Sequence, residues 1–590
     1  MTEQELFSRI YAGWMGKNIG GTLGGPLEGR MELMDIKFYT QEFVGAVEND
    51  DLDLQLINLH CVEQYGGRAD STLLSQEWRA HVHFQFDEYG HSLSNMRRGL
   101  HSPLSGRYNN FFTDCMGSPI RSEIWAMLCA GMPDLAAFYA YHDASVDHAG
   151  GEGVYGEIFF AVLEALAFVS TDINYLITTA LSYLPADSAV RLAVECLMDC
   201  HEKGMSWQDA RQVIIDRFAG ENFTYAPVNI AFTLVGLLWE KGFTRQMLTT
   251  VNCGYDTDCT VATLGALLGI LYGPDYIDKE WIEPLGENII VSRPITGFDP
   301  PKNITELAER TIAARRIIQE HYAQTEDKSA FVIPYDGAVE IVRLPLGSHK
   351  KYEFTVTVEH ENGSPAFAPG QTRTVRVSVK NHRPIASSLE AALELPAGFS
   401  VSGGGMLDIP AGGEGSCAFT VTAPVEKQPV WRGTLVLTEY IGAMLWTEHR
   451  IPLTLLPTID WTITAGSETE TVFCDTNRVV SGAVNAETLT AETAISVPRD
   501  CTSWIKIICR KPIRAWLDGE EIISCDAPTA EIPAYHRADP RKCAEVTLTK
   551  GTHALKIETG KAAEPGALFV CLVEGRDNYW ALQIDKTFGI

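Results

Sequence analysis

The stretch from residue 254 to residue 271, GYDTDCTVATLGALLGIL, joins an acidic turn to a strongly apolar helical segment. Asp256 and Asp258 stand two residues apart at the start of this segment. The residues after Thr260 are apolar on nearly all sides of a helix, which is typical of a central helix in a compact bundle. Carboxylates at the entrance to such a buried helix are costly unless they are paired or bind a metal ion.

Other segments in the first half of the chain have the same apolar helical pattern, notably residues 154–168 and 227–239. A more charged helical segment, residues 306–321, ends this region. Together these segments predict an all-α domain over residues 1–328.

Further along the chain, short alternating runs such as residues 353–358 and 374–379 are separated by Gly and Pro, a pattern that predicts antiparallel strands. A second β region has strand-like runs at residues 503–508 and 553–557. The chain has 590 residues, too many for one hydrophobic core. We therefore expect a multidomain protein in which the all-α domain is followed by two all-β domains of the sandwich or jelly-roll type. The first is an Ig-like sandwich at 329–457, and the second is a C-terminal sandwich at 458–590.

The composition argues against several classes of partner. The formal net charge of −29 disfavours direct binding to nucleic acid or to an anionic membrane surface. The N-terminal residues lack a signal-peptide pattern, and no apolar run is long enough to span a bilayer. The 14 cysteines are scattered without a CxxC pair, so we expect reduced thiols in a cytoplasmic protein. Oligomerisation stays open.

A second acidic cluster, Glu48–Asp53, precedes an apolar helical run at residues 54–62. Alone, each cluster has a structural explanation, because carboxylates complement the helix dipole and cap helix N-termini. Together they offer the oxygen ligands that Mg²⁺ and similar cations prefer, although about 200 residues separate them and spacing alone does not bring them together. The four candidate ligands of this kind are Asp50, Asp51, Asp256 and Asp258.

Four segments in this order resemble the motifs of the ADP-ribosylglycohydrolase family, of the dinitrogenase-reductase-activating type. Residues 20–28, GGTLGGPLE, resemble the opening GDALGAPxE motif, and Asn49-Asp50-Asp51 resembles the T-D-D metal motif. Residues 144–156 resemble the central substrate loop, and residues 252–258 resemble the G-G-D-T-D-T motif. The resemblance spans roughly residues 5 to 320.

The resemblance implies an all-α hydrolase that cleaves an N- or O-glycosidic bond to ribose, using two Mg²⁺ or Mn²⁺ ions. Its substrate would be a small molecule or an ADP-ribosylated conjugate. The implied metal ligands are Asn49, Asp50, Asp51, Asp256, Asp258 and Cys259. The implied catalytic residues are Glu28, Asp50 and Asp51. The implied substrate-binding residues are Gly117, Ser118, Asp147, His148, Gly151, Gly153 and Tyr155.

Three positions depart from the family pattern. Asn49 stands where the family has a metal-binding Thr, and an amide oxygen can still bind Mg²⁺. Cys259 replaces the last Thr, and a soft thiol is a poor Mg²⁺ ligand, so Thr260 would compensate, one ion would be held weakly, or Mn²⁺ would be preferred. Gly21 replaces the Asp of the opening motif. These changes leave two alternatives open: a glycosidase for a small glycoside, nucleoside or sugar conjugate, and a non-catalytic protein that binds ADP-ribose or glycans.

Other metal-type side chains have structural explanations. Cys196, Cys200 and His201 suggest zinc, but one-turn spacing on an apolar helix favours a buried structural face. His81, His83 and His91 lie near Gly and Ser, and we expect solvated or locally bonded side chains.

Overall fold

The computed structural model describes residues 1–325, 331, 333, 337–346, 351–480, 488–560, 567–573 and 587–588. The chain forms two compact units. One, here the helical unit, comprises Met1–His83 and Phe112–Asp336, and the other, here the β unit, comprises Phe84–Phe111 and Gly337–Ile590. The predicted domain boundary between residues 328 and 329 lies outside the described residues.

The first part of the chain is helical, as predicted. Within the part of the chain that the structure describes, every helix is too short or too polar to cross a bilayer. The helices are α1 (Glu3–Gly24), α2 (Asp50–Tyr65), α3 (Ser71–His81), α4 (Asp87–Arg98), α5 (Leu104–Arg107), α6 (Ser122–Leu128), α7 (Pro133–Ala144), α8 (Glu152–Ala167), α9 (Ile173–Leu181), α10 (Ala189–Glu202), α11 (Trp207–Phe218), α12 (Ala226–Trp239), α13 (Phe243–Val251), α14 (Thr257–Tyr272), α15 (Lys279–Ile282) and α16 (Ile304–Gln324).

Small residues bring α1 and α14 into backbone contact. Gly16, Gly20 and Gly24 recur every four residues, so they lie along one face of α1. A Cβ added at Gly16 would lie 2.0 Å from the carbonyl oxygen of Gly265, and one at Gly24 would lie 2.3 Å from that of Thr257. The Thr257 hydroxyl also donates to the Gly24 carbonyl at 2.8 Å. This packing fixes the acidic start of α14 beside the end of α1.

The β unit contains α4, α5 and the strands of the second half of the chain. The strands are β1 (Val339–Leu346), β2 (Lys351–His360), β3 (Ala366–Phe367), β4 (Thr372–Asn381), β5 (Ser387–Glu394), β6 (Ser400–Gly403), β7 (Gly405–Ile409), β8 (Glu414–Thr422), β9 (Trp431–Ile441), β10 (Met444–Pro457), β11 (Ile459–Ala465), β12 (Glu468–Cys474), β13 (Arg478–Val479), β14 (Leu489–Val497), β15 (Cys501–Ile508), β16 (Ile513–Leu517), β17 (Glu520–Cys525), β18 (Cys543–Leu548), β19 (Gly551–Thr559), β20 (Leu568–Val573) and β21 (Thr587–Phe588).

The strands form two successive pairs of sheets. The first pair has the orders β1-β2-β4-β8-β6 and β3-β10-β9-β5-β7, and both sheets contribute to a core that includes Phe354 and Trp431. The second pair has the orders β12-β11-β14-β19-β16-β17, with β21 beside β14, and β13-β20-β15-β18. Its core includes Trp461 and Ile505. Apolar side chains from facing sheets therefore pack together in each pair, as expected for sandwiches.

The cysteines are free thiols throughout the described residues, with no disulfide among them. Cys196 and Cys200 are buried on α10, in agreement with a structural face. His201, at the end of the same helix, is exposed and its ring contacts Trp239.

Candidate active site

The two acidic clusters meet in the helical unit. Asp51, in the first turn of α2, lies with Asp258 and Cys259 of α14 in a group whose ligand atoms are all within 4.8 Å of one another. Glu28, Asp256 and Asp258 form a second group of the same kind. Asp258 belongs to both groups, so they are adjacent. Folding thus joins acidic side chains from three separate segments of the chain.

Burial and mutual repulsion disfavour the charged forms of these carboxyls. Burial, together with the charge of Asp258, raises the pKa of Asp50 to about 6. Burial also raises the pKa of Asp51 well above its usual range. Lys17 opposes this shift, and the charges of Asp258 and Asp50 add to it. The pKa of Asp256 is raised by burial and then by the charges of Asp258 and Glu28. A cluster of this kind is most stable when protons or cations neutralise it.

The donor set fits a hard divalent cation. Within the described residues, Asp51 Oδ2 and Asp258 Oδ1 are buried atoms that have no hydrogen-bond partner. Buried polar atoms are nearly always paired, so these two unpaired carboxylate oxygens are suited to bind a cation. Carboxylate oxygens are the preferred ligands of Mg²⁺ and Mn²⁺.

The two replaced threonine positions lie at this cluster. Asn49 is buried and occupies the N-cap position of α2, but its side chain does not cap the helix. Cys259 Sγ lies 3.7 Å from Asp51 Oδ1. The Thr260 hydroxyl donates to the carbonyl oxygen of Thr257 at 3.2 Å.

The buried ion pair Lys17–Glu123 lies close enough to the acidic cluster to interact with the charge of Asp51. Lys17 Nζ donates to the carbonyl oxygen of Ile120 at 2.8 Å and to Glu123 Oε1 at 3.0 Å, and both side chains are fully buried. Gln55 Nε2 donates to Glu123 Oε2 at 2.9 Å, and the Thr263 hydroxyl donates to Oε1 at the same distance. Although burial alone would lower it, the charges of Glu123 and Asp51 raise the pKa of Lys17.

Sequence reasoning missed this pair. The available signal is that Lys17 and Glu123 each interrupt a largely apolar helical stretch. A charged residue in such a stretch is almost always paired when it is buried.

Arg121 organises the residues of the expected substrate region. Its side chain is fully buried, and it donates to the Gly117 carbonyl at 2.6 Å and to Asp147 at 2.8 and 3.0 Å. It also donates to Asp143 at 3.1 Å. Ser118 is buried next to Gly117, and its hydroxyl has no hydrogen-bond partner among the residues that the structure describes.

Asp147 and His148 are fully buried, and His148 Nδ1 lies 3.0 Å from Asp147 Oδ1. Although burial by itself raises it, Arg121 and His148 hold the pKa of Asp147 below its usual range. A Cβ at Gly153 would lie 2.3 Å from His148 Cδ2, and one at Gly151 would lie 2.3 Å from the Thr113 carbonyl oxygen. These glycines therefore let the turn before α8 pack directly on its neighbours.

Tyr155, in the first turn of α8, is half-buried.

The substrate region and the acidic cluster are linked through residues 120–123. Ile120 accepts hydrogen bonds from Lys17 and from Gln55 Nε2, at 2.8 and 3.1 Å, one residue before Arg121. The two groups of predicted site residues thus share one buried polar network.

The helical part of the chain matches a known family. A family model of the ADP-ribosylglycohydrolases matches residues 2–322, more than half of the chain. The chain belongs to the ADP-ribosylglycohydrolase family, and membership supports a glycohydrolase activity. The resemblance seen in the sequence motifs is thereby confirmed. No curated protein matches the chain significantly in sequence.

Solved structures show weaker similarity. An ADP-ribosylglycohydrolase-related protein complex is similar with a TM-score of 0.38 and 20% identity, covering 54% of this chain and 99% of that chain. A FixG-related protein from Vibrio parahaemolyticus is similar with a TM-score of 0.14 and 10% identity, covering 18% of this chain and 96% of that chain. The family assignment rests on the family match.

Proposed function

We propose that the helical unit is a divalent-metal-dependent glycohydrolase that cleaves an N- or O-glycosidic bond to ribose, as in an ADP-ribosyl conjugate. The observation that carries the proposal is the position of Asp258 in two adjacent groups of ligand atoms, one with Asp51 and Cys259 and one with Glu28 and Asp256. Two adjacent groups that share a carboxylate are suited to two ions.

We assign metal binding to Asp50, Asp51, Asp256 and Asp258, with Asn49 and Cys259 at the edge of the cluster. When bound, Mg²⁺ or Mn²⁺ would polarise sugar hydroxyls and lower the pKa of a water molecule. The raised pKa values of Asp50, Asp51 and Asp256 support this assignment, because a bound cation offsets the burial and the mutual repulsion that raise them.

Glu28 is the candidate proton acceptor. It lies next to the buried ligands but is itself exposed, at the end of the short turn that follows α1. Glu28 is accessible to solvent, whereas Asp51 and Asp256 are buried. Glu28 can therefore accept the proton of an attacking water while Asp50 and Asp51 orient it.

The residues expected to bind substrate have two roles in this proposal. The half-buried Tyr155 is suited to contact the sugar or the leaving group. Ser118 is fully buried, so it belongs with the residues that hold the substrate region in shape. Asp147 and His148 are fully buried, so they position the turn that contains Gly151 and Gly153, and Arg121 holds Asp147 and Gly117 in one arrangement.

The decisive experiment combines metal binding with turnover in one variant. Asp256→Ala removes a buried carboxyl that repels its neighbours, so the metal-free variant should stay folded while it loses divalent-ion binding and hydrolysis together. Asp275→Ala, which changes an exposed carboxylate of the same unit, is the matched control. Hydrolysis by Asp256→Ala at the wild-type rate would refute the proposal.

The substrate class is tested separately. ADP-ribosylated protein, free ADP-ribose conjugates and simple glycosides are compared, each with Mg²⁺, Mn²⁺ or chelator. Release of ADP-ribose that stops with chelator supports the proposal. Turnover of simple glycosides alone would favour the glycosidase alternative, and binding of ADP-ribose without product would favour the non-catalytic alternative that the changes at Asn49 and Cys259 leave open.

A further inference from the structure

A second group of metal-binding side chains lies in the helical unit, away from the acidic cluster. His60 is on α2, and Glu77 and His81 are one turn apart on α3. His60 Nδ1 lies 2.5 Å and His81 Nε2 lies 3.5 Å from the same oxygen, Glu77 Oε2. One ligand atom from each residue lies within 4.8 Å of the other two. The packing of two helices thus brings two imidazoles and a carboxylate to one point.

A hydrogen bond to a backbone carbonyl fixes the orientation of the His81 ring. Its Nδ1 lies 2.8 Å from the carbonyl oxygen of Thr296, and a carbonyl only accepts hydrogen bonds, so Nδ1 carries the hydrogen. In the neutral ring the lone pair is then on Nε2, which faces Glu77 Oε2. A lone pair that faces a carboxylate oxygen is unfavourable unless a proton or a metal ion lies between them. A backbone carbonyl behind the ring is also the usual partner of a metal-binding histidine.

The surroundings suit a partly enclosed ion. The side chains of His60, Glu77 and His81 are only 16%, 5% and 12% exposed. The Phe298 ring packs against both imidazoles, with centroid distances of 5.3 and 5.6 Å. The apolar ring limits access of water on one side, while the remaining exposure lets an ion enter.

We propose that His60, Glu77 and His81 bind one zinc ion. Imidazole nitrogen suits Zn²⁺ far better than Mg²⁺, so this site and the all-carboxylate cluster select different ions. Tetrahedral zinc with bonds of about 2.0 to 2.2 Å places its ligand atoms roughly 3.3 Å apart. The spacing of 3.5 Å between His81 Nε2 and Glu77 Oε2 matches that geometry. His60 would move away from Glu77 by less than about 1 Å, and water would complete the coordination.

The ion would act as a structural clamp between α2 and α3. α2 carries Asp50 and Asp51 in its first turn and His60 in its third turn. A zinc ion that ties His60 to α3 would therefore restrict the helix that presents the acidic cluster. Because binding stabilises only the folded form, zinc should raise the thermal stability of the chain even where it does not change the chemistry.

The test is zinc binding to metal-free full-length protein, with excess Mg²⁺ present to fill the acidic cluster. Competition with a chromophoric chelator should give one tight Zn²⁺ site in the wild type. His60→Gln and His81→Gln should each weaken it by at least about tenfold, the scale expected when a metal site loses support. His83→Gln is the matched control, because His83 is exposed and bonds to the Thr296 hydroxyl at 3.1 Å rather than to Glu77.

Two further measurements separate this site from the acidic cluster. Co²⁺ in place of Zn²⁺ should give the intense visible bands of four-coordinate cobalt, and these should disappear in His81→Gln. Asp51→Asn with Cys259→Ser should keep the tight zinc site. Wild-type zinc affinity in the double variant His60→Gln/His81→Gln would overturn the proposal, as would a wild-type protein without tight zinc binding.

Discussion

Gly21 and Asn49 fit one space between α1 and the start of α2. A Cβ at Gly21 would lie 2.1 Å from Asn49 Nδ2 and 2.8 Å from Asn49 Cγ. The missing side chain of Gly21 therefore makes room for the Asn49 amide. Both residues depart from the family pattern, where the opening motif has Asp and the metal motif has Thr. The two departures are in contact, so they are best understood as one exchange.

The Gly21–Asn49 contact predicts that substitutions at the two positions have strongly coupled effects on stability. Gly21→Ala should destabilise the chain by about 1 to 3 kcal/mol, the usual cost of overpacking, because the Asn49 amide is buried and cannot leave freely. In Gly21→Ala/Asn49→Ser the smaller side chain removes the clash, so most of the loss should be recovered. Thermal unfolding of the wild type, both single variants and the double variant gives the interaction energy. Additive effects of the two substitutions would contradict the shared-space explanation.

The thiol of Cys259 predicts an altered preference among divalent ions. Cys259→Thr should raise the affinity for Mg²⁺ by about 1 kcal/mol, the scale of one polar contact, because a hydroxyl oxygen is a harder ligand than sulfur. The Mn²⁺ affinity should change less, since Mn²⁺ tolerates softer ligands. Titration calorimetry with both ions on metal-free protein measures the ratio of the Mg²⁺ and Mn²⁺ affinities. Thr260→Val is the control, because its hydroxyl bonds to Thr257 and not to the cluster. An unchanged Mg²⁺ affinity in Cys259→Thr would place Cys259 outside the coordination sphere.

The order of the domains and the acidic clusters could be predicted from the sequence, because both depend on local patterns. Apolar periodicity marks the helices, alternation marks the strands, and Asp256 and Asp258 stand at a helix start. Contacts between distant positions could not be predicted, since periodicity carries no information about partners. The Lys17–Glu123 pair, the Gly21–Asn49 contact and the His60–Glu77–His81 group all join different helices.

The sequence also does not predict which unit the helix α4 belongs to. Residues 87–98 read as part of the helical region, and α4 does form there. Contacts nevertheless group Phe84–Phe111 with the β unit. A helical pattern predicts the helix itself, but the surface against which it packs depends on the rest of the chain.

The buried Lys17–Glu123 pair predicts a large effect on stability from a single substitution. Lys17→Met leaves Glu123 buried without its cation, and breaking such a pair costs about 3 to 5 kcal/mol. Lys17→Met/Glu123→Gln should recover much of this loss, because no uncompensated charge remains. Lys203→Met breaks the exposed Lys203–Asp199 pair on α10 and should change stability by less than about 1 kcal/mol. Thermal unfolding compares these three variants with the wild type. A Lys17→Met variant as stable as the wild type would contradict a stabilising role of the buried pair.

His91, on α4 of the β unit, predicts a loss of stability in acid. Burial, together with the charge of Arg98, lowers the pKa of His91 to about 4, against the opposing effects of Asp87 and of a hydrogen bond with the Asn109 backbone. The rings of Phe111 and Tyr535 lie 5.8 and 5.5 Å from the His91 ring. His536 lies 3.2 Å from Asp87.

The direction of the pH dependence follows from the difference in the pKa of His91 between the folded and the unfolded chain. In the unfolded chain a histidine has a pKa near ~6.5, so protonation favours unfolding once the pH falls below that value. The contribution of His91 to stability is fully present above about pH 6.5 and is lost as the pH falls toward 4, by about 2 kcal/mol between pH 7 and pH 5. His91→Gln cannot titrate, so its urea midpoint should fall less than that of the wild type over this range. His201→Gln, at an exposed position, should keep the wild-type pH dependence. Equal pH dependence in His91→Gln and the wild type would show that His91 is not the group responsible for the acid sensitivity.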